Sequence, residues 1–131
     1  MRLLIFLSIL LILAGTVACE KEPQTYNSVT GSWRCEENHP VKGFNTYLVE
    51  IDSVKNETNL FLIGNFYDAG YNEFVFARLS ENQFTINNQV ITALFVNGNG
   101  TVNEDYTRID WEYDIDDGIQ EISVYARYTR K

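Results

Sequence analysis

Histidine, cysteine, proline and basic residues are all scarce in this 131-residue sequence. It holds one histidine, two cysteines, two prolines, and 10 Lys+Arg against 18 Asp+Glu, for a net charge of -8. So few thiols and imidazoles cannot supply a zinc finger, a haem motif or a disulfide framework, and no metal or cofactor is expected. The acidic balance excludes a nucleic-acid binder, which needs a basic stripe for phosphates, and a polybasic membrane-surface protein. Amphipathic helix is missing as well: no 11-residue window keeps apolar residues at i, i+3, i+4 and i+7. The single histidine, His39, precedes Pro40 in a turn, and no Gly-x-Ser-x-Gly elbow exists, so hydrolytic triads are excluded and no enzyme is expected. His39 reads as a solvated turn residue. The length suits one domain with one core.

What is present begins with an address. Arg2 precedes the apolar run Leu3–Leu13, broken only by Ser8. A bilayer span takes about 20 apolar residues, so this shorter run fits the core of a signal peptide. It closes on Ala14-Gly15-Thr16-Val17-Ala18-Cys19. A small residue followed by cysteine at this place resembles the lipobox of bacterial lipoproteins. The resemblance implies cleavage before Cys19, acylation of that cysteine, and a lipid-anchored protein of the outer membrane. On that reading residues 1–18 are signal peptide, 19–30 the lipidated cysteine with a flexible tether, and 31–131 the folded domain. Acyl chains hold to a bilayer with ~0.8 kcal/mol per buried CH2. Glu20 and Glu22 beside Cys19 are similar to a surface-export signal in some Gram-negative lipoproteins.

From Gly31 onward, period-2 alternation recurs between turn residues, and Tyr, Phe, Val, Ile and Thr are plentiful. The pattern predicts strands at 31–37, 46–54, 59–67, 73–80, 83–87, 89–97, 100–103 with 106–115, and 119–129. An Asp117-Gly118 turn would set Tyr113 opposite Ile122, Trp111 opposite Val124 and Ile109 opposite Ala126. A Glu81-Asn82 turn would set Leu79 opposite Phe84 and Ala77 opposite Ile86. About eight short antiparallel strands without crossover helices must hide their edges, and closing into a barrel does so. The expected fold is all-β: a single antiparallel eight-stranded up-and-down barrel.

Gly31-Ser32-Trp33 resembles the Gly-x-Trp motif that opens lipocalins and related calycin barrels. In that family the tryptophan closes the barrel floor and an arginine of the last strand stacks across it. Arg130 shares strand parity with Ile122, Val124, Ala126 and Tyr128, so Gly31, Trp33 and Arg130 form the implied fold staple. A cation over an indole contributes ~0.5–2 kcal/mol. The chain resembles more closely the small lipocalin-like lipoproteins of Gram-negative gut bacteria. Those begin Gly-x-Trp-x-Cys/Val-x-Glu, carry an Asn-Phe hairpin such as Asn65-Phe66-Tyr67-Asp68, and end on an alternating Tyr-Arg strand. The resemblance implies a fold and an address, and no common activity.

Cys35 shares a face with Trp33 and should pack inward as a small hydrophobe. Asp110, Glu112 and Asp114 share one strand face, with Glu121 opposite. Such spacing suits a calcium site or a general acid and base, but also a plain solvated strand face. Apolar residues occur at both parities in 60–63, 74–79 and 90–96, more than a small barrel interior needs. The outer set must meet the tether, a partner or lipid.

Three functions are compatible with these features. The favoured one is a lipid-anchored module that holds a small hydrophobic or amphipathic ligand inside the barrel, lined by Trp33, Tyr47, Val49, Leu62 and Trp111. The second is an accessory subunit of an outer-membrane complex, with a side-chain-filled barrel and a partner patch around Phe61, Phe74 and Phe76. The third is a carboxylate-based hydrolase. The expected partners are the membrane through Cys19, a small apolar ligand and an envelope protein, with no nucleic acid.

Overall fold

The computed structural model describes residues 22–131; Cys19, its acylation and the signal peptide lie outside the described residues. Eight strands follow in order: β1 Gly31–His39, β2 Gly43–Ser53, β3 Leu60–Gly64, β4 Phe74–Ser80, β5 Gln83–Ile91, β6 Leu94–Val102, β7 Arg108–Asp116 and β8 Glu121–Arg130. Each pairs antiparallel with the next, and β8 returns to β1, so the sheet is a closed up-and-down barrel. Closure removes both edges that an open eight-stranded meander would expose. Alternation then sorts the side chains. Trp33, Cys35 and Glu37 of β1, Tyr47, Val49 and Ile51 of β2, and Ile109, Trp111, Tyr113 and Ile115 of β7 are buried, while their neighbours stay wet. Gly100 makes room for the largest of these. A Cβ there would sit 2.7 Å from the Trp111 ring.

Up-and-down topology gives the barrel two ends. The floor gathers the start of β1, the end of β8 and the turns 54–59, 81–82 and 103–107. The mouth gathers the turns 40–42, 65–73, 92–93 and 117–120.

Several local expectations change. The stretch 89–97 is not one strand: it breaks into β5 and β6 at Thr92-Ala93, both in left-handed backbone (φ 47° and 66°). Its apolar residues at both parities are therefore the two arms of a hairpin, with Ile91 and Val96 inside and the Val90–Phe95 pair outside. The 117–120 turn uses four residues rather than two. Asp117 Oδ1 accepts the Ile119 and Gln120 amides, each at 2.8 Å, and Asp116 Oδ1 accepts the Gly118 amide at 2.7 Å. The β7–β8 register consequently slides by two residues, pairing Trp111 with Ala126 and Tyr113 with Val124. An even slip keeps every side chain on its expected face.

The Glu81-Asn82 turn does set Leu79 opposite Phe84, but β4 and β5 part beyond the Arg78–Thr85 pair, so Ala77 does not pair with Ile86. A bulge between Ile86 and Gln89 opens this gap. The Gln89 side chain fills it, accepting the Phe76 amide at 2.7 Å and donating to the Phe76 carbonyl at 2.6 Å. One carboxamide thus substitutes for a missing rung of the ladder.

The tether expected at 19–30 is not free along its whole described length. Val29 is buried in the core, and its carbonyl accepts the Trp33 indole N–H at 2.9 Å. The floor is fastened from both chain ends. The Arg130 guanidinium lies 4.1 Å from the Trp33 ring centre and 4.3 Å from that of Tyr26. It donates to the carbonyls of Ser28, Thr30 and Tyr106. Gly31 is required beneath it: its φ is +125°, and a Cβ would approach Arg130 Nη1 to 2.8 Å.

Candidate functional site at the barrel mouth

The residues expected to line a hollow barrel divide. Trp33, Tyr47, Val49 and Trp111 do point inward and are buried. Leu62 does not join them. It pairs with Asp52 and Phe76 on the outer face, because β3 places Phe61 and Ile63 inside. Phe61 is the reciprocal correction: expected in an outer patch, it meets Phe84 edge-on inside at 5.6 Å. With only five residues in β3, all apolar but Gly64, alternation alone could not choose the face. Phe74 and Phe76 do stand outside, 5.4 Å apart and edge-to-face.

The middle of the barrel is filled. Phe66, the second residue of the Asn65-Phe66-Tyr67-Asp68 turn, is fully buried and packs on Tyr113 at 4.8 Å and Trp111 at 6.1 Å. Trp111 in turn stacks on Phe84 at 5.5 Å and tilts against Tyr128 at 5.7 Å. Aromatic rings thus occupy the column that a lipocalin-like reading would leave to a ligand. Two buried donors in that column, Trp111 Nε1 and Tyr128 Oη, have no hydrogen-bond partner among the described residues.

Open space lies one layer higher. A cavity of about 360 Å³ at the mouth is lined by Glu37, His39, Lys42, Gly43, Phe44, Asn45, Tyr67 and Asp68. Its volume is at the small end of ligand pockets. At its base is a residue whose burial the sequence reasoning missed. Glu37 is only 4% exposed, and its Oε2 accepts the hydroxyls of Tyr47, at 2.6 Å, and Tyr113. Burial pushes the Tyr47, Tyr113 and Tyr128 phenols well above the ordinary tyrosine value, so all three keep their protons, and Tyr47 and Tyr113 donate theirs to Glu37. Burial likewise pushes the neighbouring Cys35 thiol up to about 12, which makes it a packed hydrophobe rather than a nucleophile. The parity of Trp33, Cys35 and Glu37, two residues apart in sequence, was the available signal for Glu37.

Two turns build the wall around this carboxylate. His39 is buried, not solvated: its Nδ1 accepts the amides of Val41 at 3.1 Å and Lys42 at 2.9 Å, closing the β1–β2 turn. Burial, then the Lys42 charge, hold its imidazole below the usual histidine value. The 65–73 turn supplies the other side. Asn65, Tyr67 and Asp68 all have left-handed backbone (φ 57°, 59° and 54°), which costs non-glycine residues of order 1–3 kcal/mol each. Asn65 holds this shape by donating to the Leu48 carbonyl at 2.7 Å and accepting the Gly70 amide at 2.9 Å. The result seats Phe66 in the core and lays Tyr67 over the mouth. There the Lys42 ammonium rests 5.0 Å from the Tyr67 ring centre and 3.3 Å from its hydroxyl, while Asn45 donates to Asp68 at 3.2 Å.

The outer carboxylates form no comparable site. Asp110 bridges Arg108 at 3.1 Å and Arg127 at 2.8 Å, Asp114 accepts from Ser123 at 2.5 Å, and Glu112 from Tyr125 at 3.2 Å. Each is engaged by a neighbour on a wet strand face. Among the described residues no cluster of three or more ligating side chains is placed to hold a metal.

No protein-family model and no curated protein matches this sequence. Solved structures do share its shape, two of them as follows. A redesigned β-barrel superposes with a TM-score of 0.56 at 10% identity, covering 79% of this chain and 91% of that one. The EF1p2_mFAP2b protein bound to DFHBI superposes with a TM-score of 0.54 at 10% identity, covering 79% and 94%. The likeness is one of fold. Both comparisons agree with the closed eight-stranded barrel and leave the chemistry to this chain's own residues.

Proposed function

We propose that this chain is a non-enzymatic binding module that holds a small amphipathic ligand at the mouth of its barrel. The observation that carries the reading is a buried carboxylate, Glu37, at the base of a cavity of about 360 Å³. Retaining a buried charge is costly, and strained backbone at Tyr67 and Asp68 beside it is a feature concentrated at binding sites. Phe44 and Tyr67 supply the apolar wall, and Glu37, Asn45 and Asp68 the polar contacts that orient a ligand. The bound DFHBI of one structural neighbour supports the idea that barrels of this shape accommodate small molecules.

The address belongs to the same proposal. Cys19 at the end of a signal-like run supports lipid anchoring at the outer membrane, which Cys19→Ser and metabolic labelling with a fatty-acid analogue test directly. Labelled wild type and unlabelled variant are expected; an unlabelled wild type overturns the anchor. For the ligand, NMR titration of the soluble domain with small amphiphiles reads out the site. Shifts at Glu37, Asn45 and Tyr67, with Trp33 and Arg130 unmoved, are expected. Shifts confined to the outer wall, or none, overturn it.

A second reading has its own support. The exposed Val41, Phe44, Tyr71, Phe74, Phe76, Val90, Phe95 and Ile119 all sit in the mouth half of the barrel. Such apolar surface suits an accessory subunit docking an envelope protein. Loss of a captured partner on Phe74→Ser or Phe76→Ser supports it, and unchanged capture removes it.

A further inference from the structure

We infer that the ligand of the mouth cavity carries a compact organic cation, an alkylammonium or similar amine, whose charged head bonds the free oxygen of Glu37. The inference rests on the mouth being a ligand site and names the chemistry that site selects. Glu37 presents its two oxygens unequally. Oε2 takes both tyrosine hydroxyls, and no hydrogen bond among the described residues reaches Oε1. Two phenol donors converge on one oxygen and fix the carboxylate's orientation. No cation among the described residues pairs with it, since the ion pairs there are Arg108–Asp110 and Arg127–Asp110, on the outer wall. A buried anion without a counter-ion favours any ligand that brings one.

The rest of the lining agrees. Two carboxylates, Glu37 and Asp68, face the cavity against one ammonium, Lys42. His39 adds no positive charge, because its Nδ1 lone pair is taken by two backbone amides. An anionic ligand such as a fatty acid would therefore meet net negative charge. The Tyr67 face already receives an ammonium, that of Lys42, so its position and electron density suit one. Lys42 is an exposed residue on a turn and can swing out, leaving the ring to the incoming amine. The head then reaches Glu37 while a short apolar tail lies along Phe44 and Tyr67. Here Lys42 is a built-in competitor.

A matched probe series tests this: hexylammonium, hexanol and hexanoate, titrated by NMR into the wild-type domain, Glu37→Gln and Lys42→Ala. The expected result is mouth shifts with hexylammonium binding about tenfold or more tighter than hexanol, and hexanoate weakest. Glu37→Gln should erase the preference for the amine while hexanol binding stays, with a thermal melt confirming the fold. Lys42→Ala leaves Glu37 in place and should tighten hexylammonium binding about threefold or more. Equal binding of the three probes, a preference for hexanoate, or no tightening in Lys42→Ala overturns the cation inference while the mouth remains a ligand site. No mouth shift with any probe overturns the site itself.

Discussion

The two ends of this barrel handle charge in opposite ways. At the floor a cation is fully engaged: Arg130 lies between two aromatic rings and donates to three carbonyls. At the mouth an anion is half engaged: Tyr47 and Tyr113 bond one oxygen of Glu37, a residue that lines the cavity, and no hydrogen bond among the described residues reaches the other. Saturated bonding gives rigidity and leaves nothing to offer a ligand. Partial bonding costs stability and leaves valence for recognition. One end is built as a closure, and the other is where we propose that a ligand binds.

The contrast can be broken most forcefully at the floor. Arg130→Ala removes two cation–π contacts and three charge-assisted hydrogen bonds, and should lower stability by about 3–4 kcal/mol in urea unfolding. Arg130→Lys should recover only part of that loss, since an ammonium cannot stack and fork at once. At the mouth, Asn65→Ala deletes the two bonds that hold the left-handed turn and should cost about 2 kcal/mol. Its signature is local: amide exchange should quicken across 65–73 while Trp33 and Arg130 stay protected. Equal loss of protection at both ends would erase the distinction.

The smallest effect concerns pH. His39 has a lowered folded-state pKa, so below about pH 6.5 the unfolded chain binds more protons than the folded one. Stability is therefore complete above that pH and declines as pH falls below it. Protonation takes the Nδ1 lone pair from the Val41 and Lys42 amides, so their exchange should speed up first. A His39→Gln variant should lose this pH dependence, and floor amides should show none through the window. Cys35, with its thiol pushed up to about 12, should resist alkylation at pH 8 until the domain unfolds.

Much of the fold was legible because alternation is a strong signal over long strands. β1, β7 and β8 show it in nearly every residue, and Trp33 with Arg130 was placed from parity and resemblance together. Legibility failed where alternation is short or the turn chemistry unusual. Thr92-Ala93 turns without glycine or asparagine, so the apolar run around it read as one strand. In β3 apolar residues at both parities hid which of Phe61 and Leu62 faces inward. The site was the least legible part. Glu37 was visible as a letter in a motif, but its burial depends on Tyr47 and Tyr113, 10 and 76 residues away, converging on one oxygen.

The floor clamp also bears on how the chain comes to be folded. Its guanidinium joins the last strand to carbonyls 100 and 102 residues earlier. Neighbouring hairpins can form as soon as both arms exist, but this contact cannot. A chain emerging from the ribosome therefore keeps an open sheet, with the first strand's edge unpaired, until the eighth strand is made. Closure waits on β8 and its Arg130, so a chain cut within β8 should remain an unclosed, aggregation-prone meander.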